Sequence, residues 1–425
     1  MPKNLDAVGR RHAPGRAAWL LGPAMVAGVA YLDPGNVASN MTAGASFGYL
    51  LVWVVVLGNV MAWLIQYLSA KLGIVTGESL PQILGRRLHR RWARRVYWLQ
   101  AELVAMATDI AEVIGGAVAL NLLFGIPLVW GGAITGIVSM LLLVVQSRRG
   151  ARAFEAVLIG LLVIIAVGFT FGLFFAPPDP GGVVAGLVPR FEGTNSVLLA
   201  ASILGATIMP HAIYAHSALS RDRFAPDTPT AAAGLEHARG ISTPRLLRAT
   251  RWDVTIALAV AGTVNLAILL LAAANLAGVD GTDSLEGAYA ALRDGLGPLV
   301  ATMFAVGLLA SGLASTSVGA YAGAEIMQGL LRVRIPLPAR RLVTLIPALV
   351  ILAVGVDPTL ALVLSQVVLS FGIPFALVPL VALTARREVL GVHRNRALTT
   401  MAGIAAAVFL IALNAVLLWL VFTGG

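Results

Sequence analysis

Eleven stretches of this chain are apolar enough to cross a bilayer as a helix, and that constraint fixes most of what it can fold into. They run at 18–44, 48–73, 95–124, 127–146, 154–176, 195–219, 250–277, 298–330, 341–356, 360–384 and 398–422. Hydrocarbon offers no hydrogen bonds to a peptide group, so each span must satisfy its own backbone as a helix. The expected class is an all-α polytopic membrane protein with 11 transmembrane helices. Hydrophobic residues make up 58% of the sequence and charged residues 12%, too few polar side chains to cover a soluble domain of this length.

The net charge of +10 raises the question of nucleic acid. Placement answers it. When the connections are assigned alternately, the N-terminus and the loops at 86–95, 148–152, 221–251, 332–341 and 386–396 share one side. Of the 30 Lys and Arg residues, all but Arg190 and Arg293 belong to that side. The positive-inside rule makes it cytoplasmic, with the C-terminus outside, and no soluble domain remains to bind nucleic acid. Arg10, Arg11 and Arg16 ahead of an apolar run resemble a signal peptide, but cleavage near Ala30 would divide the most informative segment, so a retained first span is expected. The compact loops then suggest a bacterial inner membrane. With no cysteine, the chain has no disulfide, thiolate metal site or cysteine nucleophile.

Five spans followed by five more, an odd number in each unit, place the second unit upside down relative to the first. The chain divides accordingly into a tail (1–17), a first repeat (18–176), an outer connection (177–194), an inverted second repeat (195–384), and a loop with an appended eleventh span (385–425). Folds built this way carry their sites on discontinuous helices in corresponding spans. Spans one and six share such a feature. Span one reads Ala30-Tyr31-Leu32-Asp33-Pro34-Gly35-Asn36, and span six reads Ala206-Thr207-Ile208-Met209-Pro210-His211.

Proline lacks an amide hydrogen and clashes with the carbonyl four residues back, so Pro34 frees the Ala30 carbonyl and Pro210 frees that of Ala206. Freed carbonyls cannot face lipid; they must be buried in protein or line a cavity. Beside them lie the carboxylate of Asp33, the amide of Asn36 and the thioether of Met209, a mixed oxygen and sulfur set that suits Mn²⁺ through Zn²⁺ and Cd²⁺ better than Mg²⁺ or Ca²⁺. Prolines in membrane helices are more often simple kinks, and methionines more often packing. A carboxylate inside a span, in contrast, is functional by default, and the two motifs occupy matching positions.

Span three carries Glu102, Asp109 and Glu112 at spacings that place them on one helical stripe. Such carboxyls must pair with bases or carry protons. Candidate partners are Arg223, Arg340 and Arg341, with His211 and His216 along span six and Asp33 at the break. A static ion-pair network holding the spans together is the structural alternative. Gln366 in span ten serves either a substrate or a neighbouring helix, and Ser311, Ser315, Thr316 and Ser317, flanked by Gly307, Gly312 and Gly319, read as close helix packing.

Asp33-Pro34-Gly35-Asn36 together with Met209-Pro210-His211 resembles the Nramp family (natural resistance-associated macrophage proteins) of divalent metal transporters, and the likeness extends over essentially all eleven spans. The resemblance implies a LeuT-like fold and proton-coupled import of Mn²⁺, Fe²⁺ and related ions such as Co²⁺, Zn²⁺ and Cd²⁺ by alternating access. It implies that Asp33, Asn36, Met209 and the carbonyls of Ala30 and Ala206 bind the metal, with Gln366 joining in some conformations. It also matches the acids of span three to a proton route. The metal is cargo, so no cofactor is implied, and the partners are metal, protons and the bilayer. A Na⁺-coupled amino-acid symporter of the same fold is the main rival. Asp33 opposes it, because an unneutralised carboxylate repels a substrate carboxylate. An intramembrane metalloenzyme would need a ligand set such as His-Glu-x-x-His, and none occurs; a pore-type channel would show flux that does not saturate.

Overall fold

A computed structural model describes residues 22–149, 151–225, 235–333 and 337–423. The tail with Arg10, Arg11 and Arg16, the first four residues of the expected first span, and parts of the loops at 221–251 and 332–341 lie outside them. In chain order the helices are α1 (Pro23–Ala30), α2 (Pro34–Phe47), α3 (Val52–Thr76), α4 (Leu80–Arg87), α5 (Arg91–Phe124), α6 (Leu128–Arg149), α7 (Ala151–Thr170), α8 (Pro180–Ala185) and α9 (Gly193–Thr207). There follow α10 (Pro210–Arg223), α11 (Leu235–Arg239), α12 (Thr243–Asn275), α13 (Leu285–Leu296), α14 (Pro298–Leu331), α15 (Leu337–Val354), α16 (Pro358–Ala385), α17 (Arg387–Leu390) and α18 (Ala397–Thr423).

Among the described residues, eight segments are long and apolar enough to cross a bilayer, the pair α9–α10 counting as one. The three other expected spans are present in another form: the first is divided into α1 and α2, the fourth is α6, and the ninth is α15. The ninth span differs in one consequential way. Its helix begins at Leu337 instead of 341, so Arg340 joins Arg341 inside a membrane helix, near its start. Pro338 suits that start, since a first-turn proline lacks only an N–H that would have no helical partner anyway.

Both broken spans lie at the centre. The most apolar window of Gly193–Arg223 is 94% buried inside the protein, against 33% for α18. Around them α3 and α12 enclose one side, and α5, α14 and α16 the other. Membrane helices have no hydrophobic drive to associate with one another and pack instead through small residues. A Cβ at Gly44 of α2 would lie 2.5 Å from the Leu269 carbonyl of α12, and one at Gly73 of α3 would lie 2.0 Å from the Ser217 carbonyl of α10. These contacts hold the half-helices α2 and α10 against the scaffold and leave the breaks to be shaped by their own sequence.

Candidate metal site

Pro34 opens α2 and Pro210 opens α10. Each gives its new helix a preset φ and denies the preceding one a donor. α1 ends in two tight turns, Tyr31 N donating to Gly28 O and Leu32 N to Val29 O, both at 3.1 Å. The next carbonyls are held from outside. Asn265 Nδ2 of α12 donates to Tyr31 O at 2.9 Å, and Ser311 Oγ of α14 donates to Leu32 O. Val37 N reaches Asp33 O at 3.2 Å, while among the described residues none donates to Ala30 O.

Asp33 caps α2, its Oδ1 accepting from Asn36 N at 2.8 Å and from Asn36 Nδ2 at 3.1 Å. The same Nδ2 donates to Ala206 O, the carbonyl freed by Pro210, at 2.8 Å. Gln366 Nε2 of α16 reaches Asp33 Oδ2 at 3.2 Å and Ser365 Oγ at 3.1 Å. Each amide nitrogen faces two acceptors, which fixes both amide orientations. Asn36 Oδ1 and Gln366 Oε1 are consequently left buried with no hydrogen-bond donor among the described residues. Met209 is fully buried in the second break, as the residue preceding α10. A buried acceptor without a donor is costly, and a cation satisfies several at once. Rotating the Asn36 amide would turn Oδ1 toward the oxygens its nitrogen now bridges, giving a set of carboxylate, amide, carbonyl and thioether atoms.

Two glycines let Gln366 approach. A Cβ on Gly35 would lie 1.7 Å from Gln366 Nε2, and one on Gly205 would lie 1.9 Å from the Gln366 carbonyl. Ser39 and Ser202 tie the same three helices together: Ser39 Oγ donates to Gly35 O at 2.7 Å and lies 2.6 Å from Ser202 Oγ, which donates to Val363 O of α16 at 3.0 Å. In the sequence Gly35 stands out only as part of the broken motif, and Gly205, Ser39 and Ser202 are not singled out. Their signal is small residues one turn from each motif, which sequence alone does not separate from ordinary packing.

The stripe on α5 meets the start of α15. Arg340 lies 3.0 Å from Glu102 and 3.4 Å from Asp109, and Arg341 Nη1 lies 2.9 Å from Asp109 and 3.2 Å from Glu112. Arg341 is also held by Ser139 of α6 at 3.0 Å and Thr316 of α14 at 3.2 Å. Gly323 makes room for Arg340, since a Cβ there would lie 2.0 Å from the guanidinium carbon. Three buried carboxylates thus face two guanidiniums, and Glu112 Oε1 has no hydrogen-bond partner among the described residues. The histidines part ways: His211 Nδ1 lies 3.1 Å from Thr108 Oγ1, beside Asp109, whereas His216 Nδ1 pairs with Gln66 Oε1 of α3 at 2.7 Å. The five-residue separation on one helix turns them to different neighbours. Arg223 closes the last turn of α10, where the neighbouring Arg221 pairs with Glu325 of α14 at 3.0 Å.

Residues 24–420 match the family described as natural resistance-associated macrophage protein-like. The divalent metal cation transporter MntH of Mycobacterium tuberculosis is 58% identical over 410 residues, covering 96% of this chain and 93% of that protein. A crystal structure of an Eremococcus coleocola manganese transporter mutant superposes with a TM-score of 0.82 at 32% identity, covering 96% of this chain and 88% of that one. MhsT, solved with L-phenylalanine, aligns with a TM-score of 0.61 at 13% identity over 97% of this chain and 99% of its own, a likeness of fold alone and of the LeuT type. With a match that spans nearly every membrane helix and includes both broken ones, the chain belongs to the natural resistance-associated macrophage protein (Nramp) family.

Proposed function

We propose that this protein is a secondary active importer of divalent transition-metal ions, Mn²⁺ and Fe²⁺ together with Co²⁺, Zn²⁺ and Cd²⁺, coupled to protons and working by alternating access. The observation that carries the reading is local: the Asp33 carboxylate accepts from the amide nitrogens of Asn36 and Gln366, whose oxygens, Oδ1 and Oε1, are buried with no donor among the described residues. Asp33, Asn36, Met209 and Gln366 bind the ion with the carbonyls of Ala30 and Ala206. All four side chains are fully buried, so the ion is enclosed here, and the half-helices α2 and α10 must move against the scaffold to admit or release it.

The acids of α5 carry the coupled proton. With two guanidiniums for three carboxylates, a fully ionised cluster holds one uncompensated negative charge in a low-dielectric interior, and one proton removes it at less cost than moving a whole side chain. Asp109 and Glu112 share Arg341, so a proton taken by either changes how strongly the other is held. His211, against Thr108 beside Asp109, lies between this cluster and the break. The concentration of bases on one side supports an inner-membrane placement with the N-terminus cytoplasmic.

The Na⁺-coupled symporter reading gains nothing from the geometry. Among the described residues no base pairs with Asp33, so a substrate carboxylate would meet an unneutralised charge. The test is transport by purified protein in liposomes containing a pH dye, challenged with divalent ions and with leucine under a Na⁺ gradient. Saturable Mn²⁺ uptake accompanied by internal acidification is expected. Na⁺-driven leucine uptake competing with metal would overturn the proposal.

A further inference from the structure

On the side of the membrane carrying the 177–194 connection, a groove of about 590 Å³ opens between α3, α18 and residues 187–191. Trp53 forms its floor, 7% exposed. That ring packs edge-on against Phe191 at 5.4 Å and Phe409 at 6.5 Å, and its Nε1 donates to the Arg190 carbonyl at 3.4 Å. Val60, Leu187 and Phe191 are 61%, 47% and 41% exposed along its open face. From Trp53 to Val60 the groove follows α3 inward for about 10 Å at 1.5 Å per residue. Its deep end is wholly apolar, and its single charged wall, Arg190, stands at the shallow end beside the first turn of α3.

We infer that this groove holds one phospholipid of the adjacent leaflet, an acyl chain lying along α3 and α18 and the phosphate seated on Arg190, with a phosphoethanolamine headgroup preferred. The shape follows the amphiphile: a trough running down the span with charge only at its mouth fits a chain below a headgroup. The charge pattern selects the headgroup. Arg190 has five N–H donors; Nη1 reaches the Ala185 carbonyl at 3.2 Å, and the Glu192 carboxylate is 3.9 Å away, in charge contact but beyond hydrogen-bond reach. Donors therefore remain for a phosphate, which guanidinium binds in a bidentate fashion. Glu192 would repel a purely anionic headgroup and attract an ammonium, so a headgroup with both charges complements the pair. The floor is already packed and hydrogen-bonded, so little ordering is needed to bind. Residue 193 opens α9, whose far end supplies Ala206, so the lipid would brace the outer end of a site helix.

The test is native mass spectrometry of delipidated, detergent-solubilised protein titrated with phosphatidylethanolamine or phosphatidylglycerol of identical acyl chains. Wild type is expected to retain one tight phosphatidylethanolamine. Arg190→Gln should lose about tenfold in affinity for it, the scale of one charge-assisted contact. Glu192→Gln should raise phosphatidylglycerol binding toward parity, and Val60→Trp, which fills the trough, should weaken both lipids. Unchanged melting of each variant without lipid would show that none simply misfolds. Equal retention of both lipids by wild type, or retention indifferent to Arg190→Gln and Val60→Trp, would overturn the inference. So would a dimer that Val60→Trp abolishes, which would make the groove an interface between copies.

Discussion

Gly35→Ala is the sharpest perturbation of the site, because the added atom is small and its target is known. The new Cβ would lie 1.7 Å from Gln366 Nε2, 2.3 Å from its Cδ and 2.7 Å from its Cγ. Those separations are far inside van der Waals contact, so the amide must withdraw, breaking its 3.2 Å bond to Asp33 and removing Oε1 from the ion. Loss of one contact to a charged group is worth about 1.5–3 kcal/mol, or about one to two orders of magnitude in metal affinity. Helix propensity works in the opposite direction, since alanine inside a helix is favoured over glycine by about 1 kcal/mol. A loss of binding would therefore not be a loss of helix. Affinity for Mn²⁺ measured by titration calorimetry on Gly35→Ala, Gln366→Ala and the double variant should show strong non-additivity, the second change costing little once the amide is displaced. Wild-type affinity in Gly35→Ala, or fully additive losses, would refute the account of Gln366.

Met209→Ala should retain measurable Mn²⁺ transport, lose most affinity for Cd²⁺ and become sensitive to Ca²⁺, because the thioether chiefly rejects hard ions; competition curves in liposomes check it. Asp109→Asn and Glu112→Gln should reduce metal-stimulated acidification more than Mn²⁺ binding, and acidification surviving in both would leave the stripe a structural network. Arg341→Leu strips a guanidinium from two buried carboxylates and should destabilise the protein by about 3–5 kcal/mol, with partial rescue by adding Asp109→Asn, read as melting temperature in detergent. Gly205→Ala differs from Gly35→Ala in meeting backbone, 1.9 Å from the Gln366 carbonyl and 2.9 Å from Ser370 N, so it should cost about 1–3 kcal/mol of stability as α16 is pushed from α9.

The spans and breaks were legible because their signals are local. Apolar length marks a membrane helix, and proline marks the place where its ladder fails, so Asp33, Asn36 and Met209 could be singled out together from two short motifs. The stripe of Glu102, Asp109 and Glu112 was legible from helical period, whereas the choice of Arg340 and Arg341 over Arg223 was not. It depends on α15 beginning at Leu337, ahead of the expected start at 341, which brings Arg340 into the helix beside Arg341. Charged residues read as loop when counted singly; paired with carboxylates on another helix, they can open a span. The pairing of the His216 ring with Gln66 was not legible either, since it depends on the packing of α10 against α3. Ser311, which reads as helix packing, holds the Leu32 carbonyl, and Asn265, which carries no sequence signal, holds that of Tyr31; what each does depends on which turn of a distant helix it faces.

Whether the two breaks together form one metal site is decided by anomalous scattering at the Mn absorption edge from crystals grown with Mn²⁺. One strong peak is expected, bounded by the Asp33 carboxylate, the Asn36 amide, the Met209 sulfur and the Ala206 carbonyl, and absent in crystals of Asp33→Ala. A peak seated instead among Glu102, Asp109 and Glu112, or one that persists undiminished in Asp33→Ala, would contradict it.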